Sequence, residues 1–182
     1  MNKSAAWTRL DRPGCDAALL RPHRDGWLLQ GAAAFDRDDR PATVAYQVET
    51  DARRETRRGL ICGFLGDKIV RYEILRDARG WRLNDVLIEG LTHLVDLDYG
   101  FTPATNALQL ARIALSAGQR AEVPVAWFDF DSATLIELPQ SYVRRGEASY
   151  WYEAPTVPYQ ALLEIAPNGF VQSYPGLWRL VA

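Results

Sequence analysis

From Trp27 onward, apolar and polar positions alternate in short runs broken by Gly, Asn and Asp. That is the period-two pattern of half-buried β-strands. Residues 43–50 show it best: Val44, Tyr46 and Val48 point one way, and Thr43, Ala45, Gln47 and Glu49 the other. In 55–65, Leu60, Cys62 and Phe64 share a face. Gly66 and Asp67 then form a hairpin turn, and 68–76 return with Val70, Tyr72 and Ile74 inward. Turns at 77–80 and 84–85 set off two more strands, 81–83 and 86–89. The pattern predicts an antiparallel meander whose interior is faced by Val44, Val48, Val70, Tyr72 and Ile74.

One helix interrupts it, over 104–116. Thr102 caps its start, and Pro103 takes the first helical position. Leu108, Ala111 and Leu115 form its apolar stripe, and Gly118 is the stop. Strands then resume. Residues 122–130 and 134–145 read as a hairpin across Asp131, Ser132 and Ala133. Next come Tyr150 and Tyr152 on one face, with Trp151 on the other. Strands 160–165 and 170–174 flank the turn Pro167-Asn168-Gly169, and 178–181 close the chain. With no linker and no low-complexity run, the expectation is an all-β protein with one short helix, folded as a single domain over 1–182.

Composition narrows the function classes. The 182 residues, 48% of them apolar, suffice for a substantial core. A net charge of −2, with both signs interspersed, gives no electrostatic case for nucleic acid or an anionic membrane. Six Trp, eight Tyr and six Phe suit pleated sheet faces, and equally an aromatic-lined ligand cavity. Cys15 and Cys62 lie far apart and His23 and His93 stand alone, so neither a disulfide framework nor a metal site is expected. Neither a phosphate-cradling Gly loop nor a nucleophile elbow is present, and no cofactor is expected. No stretch approaches the roughly 20 apolar residues of a membrane helix. The first twenty residues are charged, are broken at Pro13 and Gly14, and lack the apolar core of a signal peptide. The expected location is therefore cytoplasmic.

Two clusters carry candidate chemistry. If 94–99 form a strand, Asp96 and Asp98 share a face with α-carbons about 6.6 Å apart. Such a pair admits acid/base work on a glycosidic bond. The competing and preferred reading is structural, with both carboxylates hydrogen-bonding the turn at 100–103 or pairing with Arg, because a catalytic carboxylate needs a cleft and a shifted pKa. Arg53, Arg54, Arg57 and Arg58 read either as a clamp for an anionic or sugar headgroup or as a solvated, protective strand. Trp127, Tyr150, Trp151 and Tyr152 are candidates for an aromatic rim.

Three stretches carry a resemblance to a known family. They are Tyr-Gln-Val-Glu-Thr-Asp at 46–51 followed by Thr56-Arg57, Val-Asp-Leu-Asp at 95–98 running on to Thr-Pro-Ala-Thr-Asn at 102–106, and Tyr-Pro-Gly-Leu-Trp at 174–178. The chain resembles the bacterial glycolipid-binding family, from about Trp7 to Val181. The resemblance implies a spiral β-roll, a long sheet curling around an apolar interior. It also implies likeness to the periplasmic carriers that hold acyl chains in a half-open barrel. It brings no catalytic residues. It makes Arg57 a ligand candidate through the Thr-Arg step, with Arg54 where the family often has an aromatic. The expected function is non-catalytic binding of a glycolipid or other amphipathic small molecule, through Arg57, Tyr72, Asp96, Asp98, Trp127, Tyr150, Trp151 and Tyr152. The alternatives are a hydrolase of a sugar or lipid conjugate working through Asp96 and Asp98, and a structural or interaction domain with no ligand. A carrier is expected to hold a connected interior cavity of several hundred Å3.

Overall fold

The computed structural model describes residues 1–130 and 132–182. The strands are β1 (Lys3–Arg9), β2 (Gly14–His23), β3 (Gly26–Arg37), β4 (Arg40–Thr50), β5 (Thr56–Leu65), β6 (Lys68–Asp77), β7 (Gly80–Leu83), β8 (Val86–Ile88) and β9 (Leu97–Tyr99). After helix α1 (Asn106–Ile113) come β10 (Arg120–Glu122), β11 (Val125–Asp129), β12 (Thr134–Leu138), β13 (Ser141–Arg144), β14 (Ser149–Ala154), β15 (Tyr159–Ile165), β16 (Val171–Tyr174) and β17 (Trp178–Leu180). Fourteen of them form one antiparallel sheet in the order β10-β13-β14-β15-β16-β17-β1-β2-β3-β4-β5-β6-β7-β8. Its edges, β10 and β8, do not meet, so the sheet curls without closing into a barrel. The pairing of β17 with β1, Leu180 opposite Trp7, joins the two halves of the chain. The remaining strands form a small sheet, β12-β11-β9, in which β9 and β11 run parallel.

Strand alternation sorts the residues as the pattern predicts. Val44, Val48, Val70 and Ile74 are buried on the inner face, and Tyr72 is half-buried against it. Leu60, Cys62 and Phe64 do share a face, but it is the outer one, and Ile61 between them is fully buried. The inner face does not surround an empty space. The segment carrying β9, α1, β11 and β12 supplies Leu97, Tyr99, Phe101, Leu108 and Phe128 to the same buried cluster as the large sheet. Gly59 shows how closely they approach: a β-carbon there would lie 2.4 Å from both Leu97 Cδ2 and Tyr99 Oη. The Tyr99 hydroxyl donates to the Gln47 carbonyl at 3.0 Å. Side chains thus occupy the space in which a carrier was expected to hold its cavity.

Three local expectations change. Strands β1 and β2 were not foreseen, because the inward positions of β2 hold a carboxylate and an alanine, Asp16 and Ala18, before Leu20. The expected hairpin of 122–130 with 134–145 is divided at Pro124 and Pro139, which have no N–H to give a ladder. Its inner part is the β11–β12 pair of the small sheet, and its outer part is the β10–β13 pair of the large one. Of the turn expected at Asp131-Ser132-Ala133, Asp131 lies outside the described residues. The helix is shorter than 104–116. Thr102 is not its cap, since the Thr102 hydroxyl accepts the Ala104 N–H at 3.0 Å within the preceding turn. Ala114, in the left-handed region at φ 44°, ends the helix before Gly118 is reached. Among the described residues, no helix is long and apolar enough to cross a membrane, and no group of His, Cys, Asp or Glu is placed to hold a metal ion.

Candidate functional site

A cleft opens where the end of the large sheet meets the segment that fills it. It consists of two adjoining hollows of about 400 and 280 Å3 that share Arg9, Arg12, Gly100 and Trp127. The larger is polar at its mouth, with Arg37 and Asp38 beside the shared arginines and Phe130 below. The smaller is lined by Leu138, Val157, Leu177, Tyr159 and Tyr174, with Asp98 and Tyr152. Trp127 stands between them. Its α-carbon pairs with that of Asp98 in the parallel β9–β11 register, which sends both side chains to one face. Gly100 makes room for the indole, because a β-carbon there would lie 2.7 Å from Trp127 Nε1. Arg9 ends β1 on the inner side. It donates through Nε to Asp11 Oδ1 at 2.6 Å, and its guanidinium lies 5.1 Å from the Trp178 ring centre. Arg12 donates to the same carboxylate at 3.0 Å, so two guanidiniums share one Asp.

Asp96 and Asp98 are both held by α1 and the residue before it. Thr105, just before the helix, and Arg112, two turns further on, lie on one helical face. The Thr105 hydroxyl donates to Asp98 Oδ1. The Arg112 guanidinium grips both oxygens of Asp96 at 2.5–3.1 Å. Burial raises both carboxyls. Asp96 moves up despite Arg112, and Asp98, only 8% exposed, is pushed to about 6 by burial, with the Thr105 hydroxyl and the Tyr99 N–H holding it back. Only Asp98 borders the cleft; Asp96 is spent on its ion pair. The acid/base pair that the spacing suggested is therefore not assembled at the cleft. Around the helix the polar network continues. Gln109 Oε1 accepts from Gln140 Nε2 at 2.8 Å and from the Tyr142 hydroxyl at 3.0 Å, and the Tyr152 hydroxyl donates to Gln140 Oε1 at 2.7 Å.

With this geometry in hand, the chain can be set beside known proteins. Residues 4–180 match the family described as "Putative glycolipid-binding". The chain belongs to that family. A crystal structure of a DUF1089 family protein from Pseudomonas aeruginosa is similar to it, with a TM-score of 0.76 and 26% identity over 91% of each chain. No curated protein matches the sequence. The two structures share the curled antiparallel sheet described above.

Within this family member, the residues picked out by sequence are dispersed. Asp98, Trp127 and Tyr152 meet at the cleft. Tyr72 packs beneath it, its ring centre 4.8 Å from that of Phe128. Tyr150 is buried among core rings, with Arg144 over it. Trp151 lies on the other face of β14, where Nε1 donates to Glu153 at 2.9 Å. Arg57 is exposed near the β2–β3 turn, its guanidinium on Asp25 at 2.7 Å. Hairpin turns alternate between the ends of the sheet, so this is the end opposite the cleft. Arg54, standing where the family often has an aromatic, itself stacks over Trp27 at 4.2 Å.

Sequence reasoning missed Arg9, Arg12, Tyr159 and Tyr174 in the cleft, because they come from segments that meet only through the β17–β1 pairing. It also missed a buried triad on the inner face of the large sheet. Asp16 accepts from the Tyr46 hydroxyl at 2.9 and 3.1 Å and from the Thr102 hydroxyl. Burial pushes its carboxyl to about 6, the two hydroxyls holding it back. The available signal was an Asp at an inward position of an alternating run facing an inward Tyr.

Proposed function

We propose that this protein binds a glycolipid or a similar amphipathic molecule in the cleft around Trp127, without transforming it. The observation that supports this most is the division of the cleft by one indole. On one side lie arginines and Asp38, fit for hydroxyls or a polar head; on the other lie Leu138, Val157 and Leu177, fit for the start of a tail. Trp127 offers its face to a sugar ring between them, and Asp98 offers a carboxyl at the floor. The filled interior favours a second reading, a domain with no ligand, and the same experiment decides between the two.

The test is calorimetric titration with a short-chain glycolipid as monomers, on wild type, Trp127→Ala and Arg57→Ala. Binding near the micromolar range, about −8 kcal/mol, is expected for wild type. Trp127→Ala is expected to weaken it tenfold or more, about 1.4 kcal/mol, and Arg57→Ala, at the far end of the sheet, to leave it unchanged. Absence of binding at about 100 μM, or equal affinity in Trp127→Ala, refutes the cleft reading.

A further inference from the structure

The middle of the outer face of β1–β5 is open and free of charge. Three successive lateral rows cross it in register: Thr8–Cys15–Ala34–Thr43–Phe64, Ala6–Ala17–Ala32–Ala45–Cys62 and Ser4–Leu19–Gln30–Gln47–Leu60. All of these residues are half-exposed or exposed, and none is Asp, Glu, Lys, Arg or His. The sheet curves here into a groove of about 630 Å3 whose floor is the alanine row. A ridge stands beside the groove. Phe64 pairs with Ile69 across β5 and β6, and the two are 38% and 85% exposed. Charges return at the frame, as Arg21, Glu49 and Arg58 along one side, Asp36 on the other, Arg179 beside Thr8 on β17, and Arg71 and Glu73 on β6. An uncharged centre within a charged frame is the anatomy of a protein contact rather than of a solvated sheet face.

We propose that this face is where two copies of the chain meet, in a two-fold dimer that seats the Phe64–Ile69 ridge of each copy on the alanine floor of the other. Three observations favour a copy of itself over other occupants. The groove needs large apolar side chains to fill it, and the same surface presents them two strands away, which a two-fold axis near Thr43 and Ala45 makes reciprocal. The frame carries both signs, so Arg on one copy can meet Glu on the other, whereas an anionic bilayer would be met by Glu49 and Glu73. The area also fits. Strands about 4.8 Å apart and outward rows about 6.6 Å apart give roughly 500 Å2 per copy. The pair would bury about 1,000 Å2, at the low end for specific contacts, so a dimer that dissociates in the micromolar range is expected. This contact is independent of the cleft, which opens on the inner side.

Sedimentation velocity of the full chain from about 1 to 500 μM tests it. A shift from monomer to dimer across that range is expected. Ala45→Glu and Ile69→Asp should each hold the protein monomeric at least tenfold higher in concentration, while circular dichroism and dilute-solution melting stay at wild-type values because both sites are exposed. With Cys15→Ser and Cys62→Ser as background, Ala45→Cys should oxidise to a disulfide-linked dimer. A chain that stays monomeric at 500 μM overturns the proposal. So does a dimer that neither variant disturbs, or one in which Ala45→Cys fails to cross-link. A monomer that instead floats with phosphatidylcholine vesicles, and loses this in Ala45→Glu, also overturns it by assigning the face to lipid.

Discussion

Replacing Asp16 with Asn should favour this protein more at high pH than at low pH. The carboxyl is 2% exposed, and its partners are the hydroxyls of Tyr46 and Thr102. Burial raises it from 3.8 to about 6. Between those values the folded chain holds a proton that the unfolded chain releases, so stability falls as pH rises through the window and levels off above it. The full effect is about 3 kcal/mol, and about 2 kcal/mol of it falls between pH 4.5 and pH 8. Asn keeps the shape, accepts from one hydroxyl, donates to the other, and never ionises. Whatever Asp16→Asn costs or gains at pH 4.5, its stability relative to wild type should improve by about 2 kcal/mol at pH 8. Urea unfolding at the two pH values measures this, provided the slope of the transition is shared by both proteins. A difference that is the same at both pH values, or that moves against Asn as pH rises, refutes the argument.

Arg112→Leu leaves Asp96 buried without its guanidinium and should cost about 3–5 kcal/mol at pH 8. The loss should be smaller at pH 5, where Asp96 can take up a proton; urea unfolding at both pH values checks this. Gly59→Ala places a methyl 2.4 Å from Leu97 Cδ2 and Tyr99 Oη. It should lower stability by about 1–3 kcal/mol, read as a fall in melting temperature, because the contact joins the large sheet to the segment that fills it.

How far the sequence revealed the fold depends on whether the information was local. Alternation from Val44 to Ile74 was enough to assign strands, faces and hairpins, because each residue's environment follows from its neighbours two positions away. Pro124 and Pro139 were visible, but their consequence was not, since a missing N–H tells where a ladder breaks and not which sheet the chain enters next. Thr102 shows the same limit. Its place before Pro103 is a cap signal, yet Asp16, 86 residues away, claims its hydroxyl. The cleft was the least legible part. Asp98, Trp127 and Tyr152 drew notice as residue types, but nothing in the sequence joined them to Arg9 and Tyr174. Arg57 drew notice by resemblance and lies at the other end of the sheet.

Energetics bear on where a tail can lie. For a ligand to enter the roll as in a half-open carrier, the segment that fills it must leave. Re-exposing Leu97, Tyr99, Phe101, Leu108 and Phe128 alone costs roughly 1.5–3 kcal/mol each, about 8–15 kcal/mol together. Twelve methylenes of an acyl chain return about 10 kcal/mol at roughly 0.8 each. The exchange gains about 2 kcal/mol at best and loses about 5 kcal/mol at worst, before the Asp96–Arg112 ion pair is opened and before any affinity remains. A ligand resting in the cleft against Trp127, Leu138 and Leu177 displaces nothing. Hydrogen exchange separates the two. Amides at 97–110 should stay as protected, or become more so, when a glycolipid saturates the protein, and those around 127 and 177 should slow. Faster exchange at 97–110 on saturation would mean that the filling segment does move aside and that the interior, not the cleft, takes the tail.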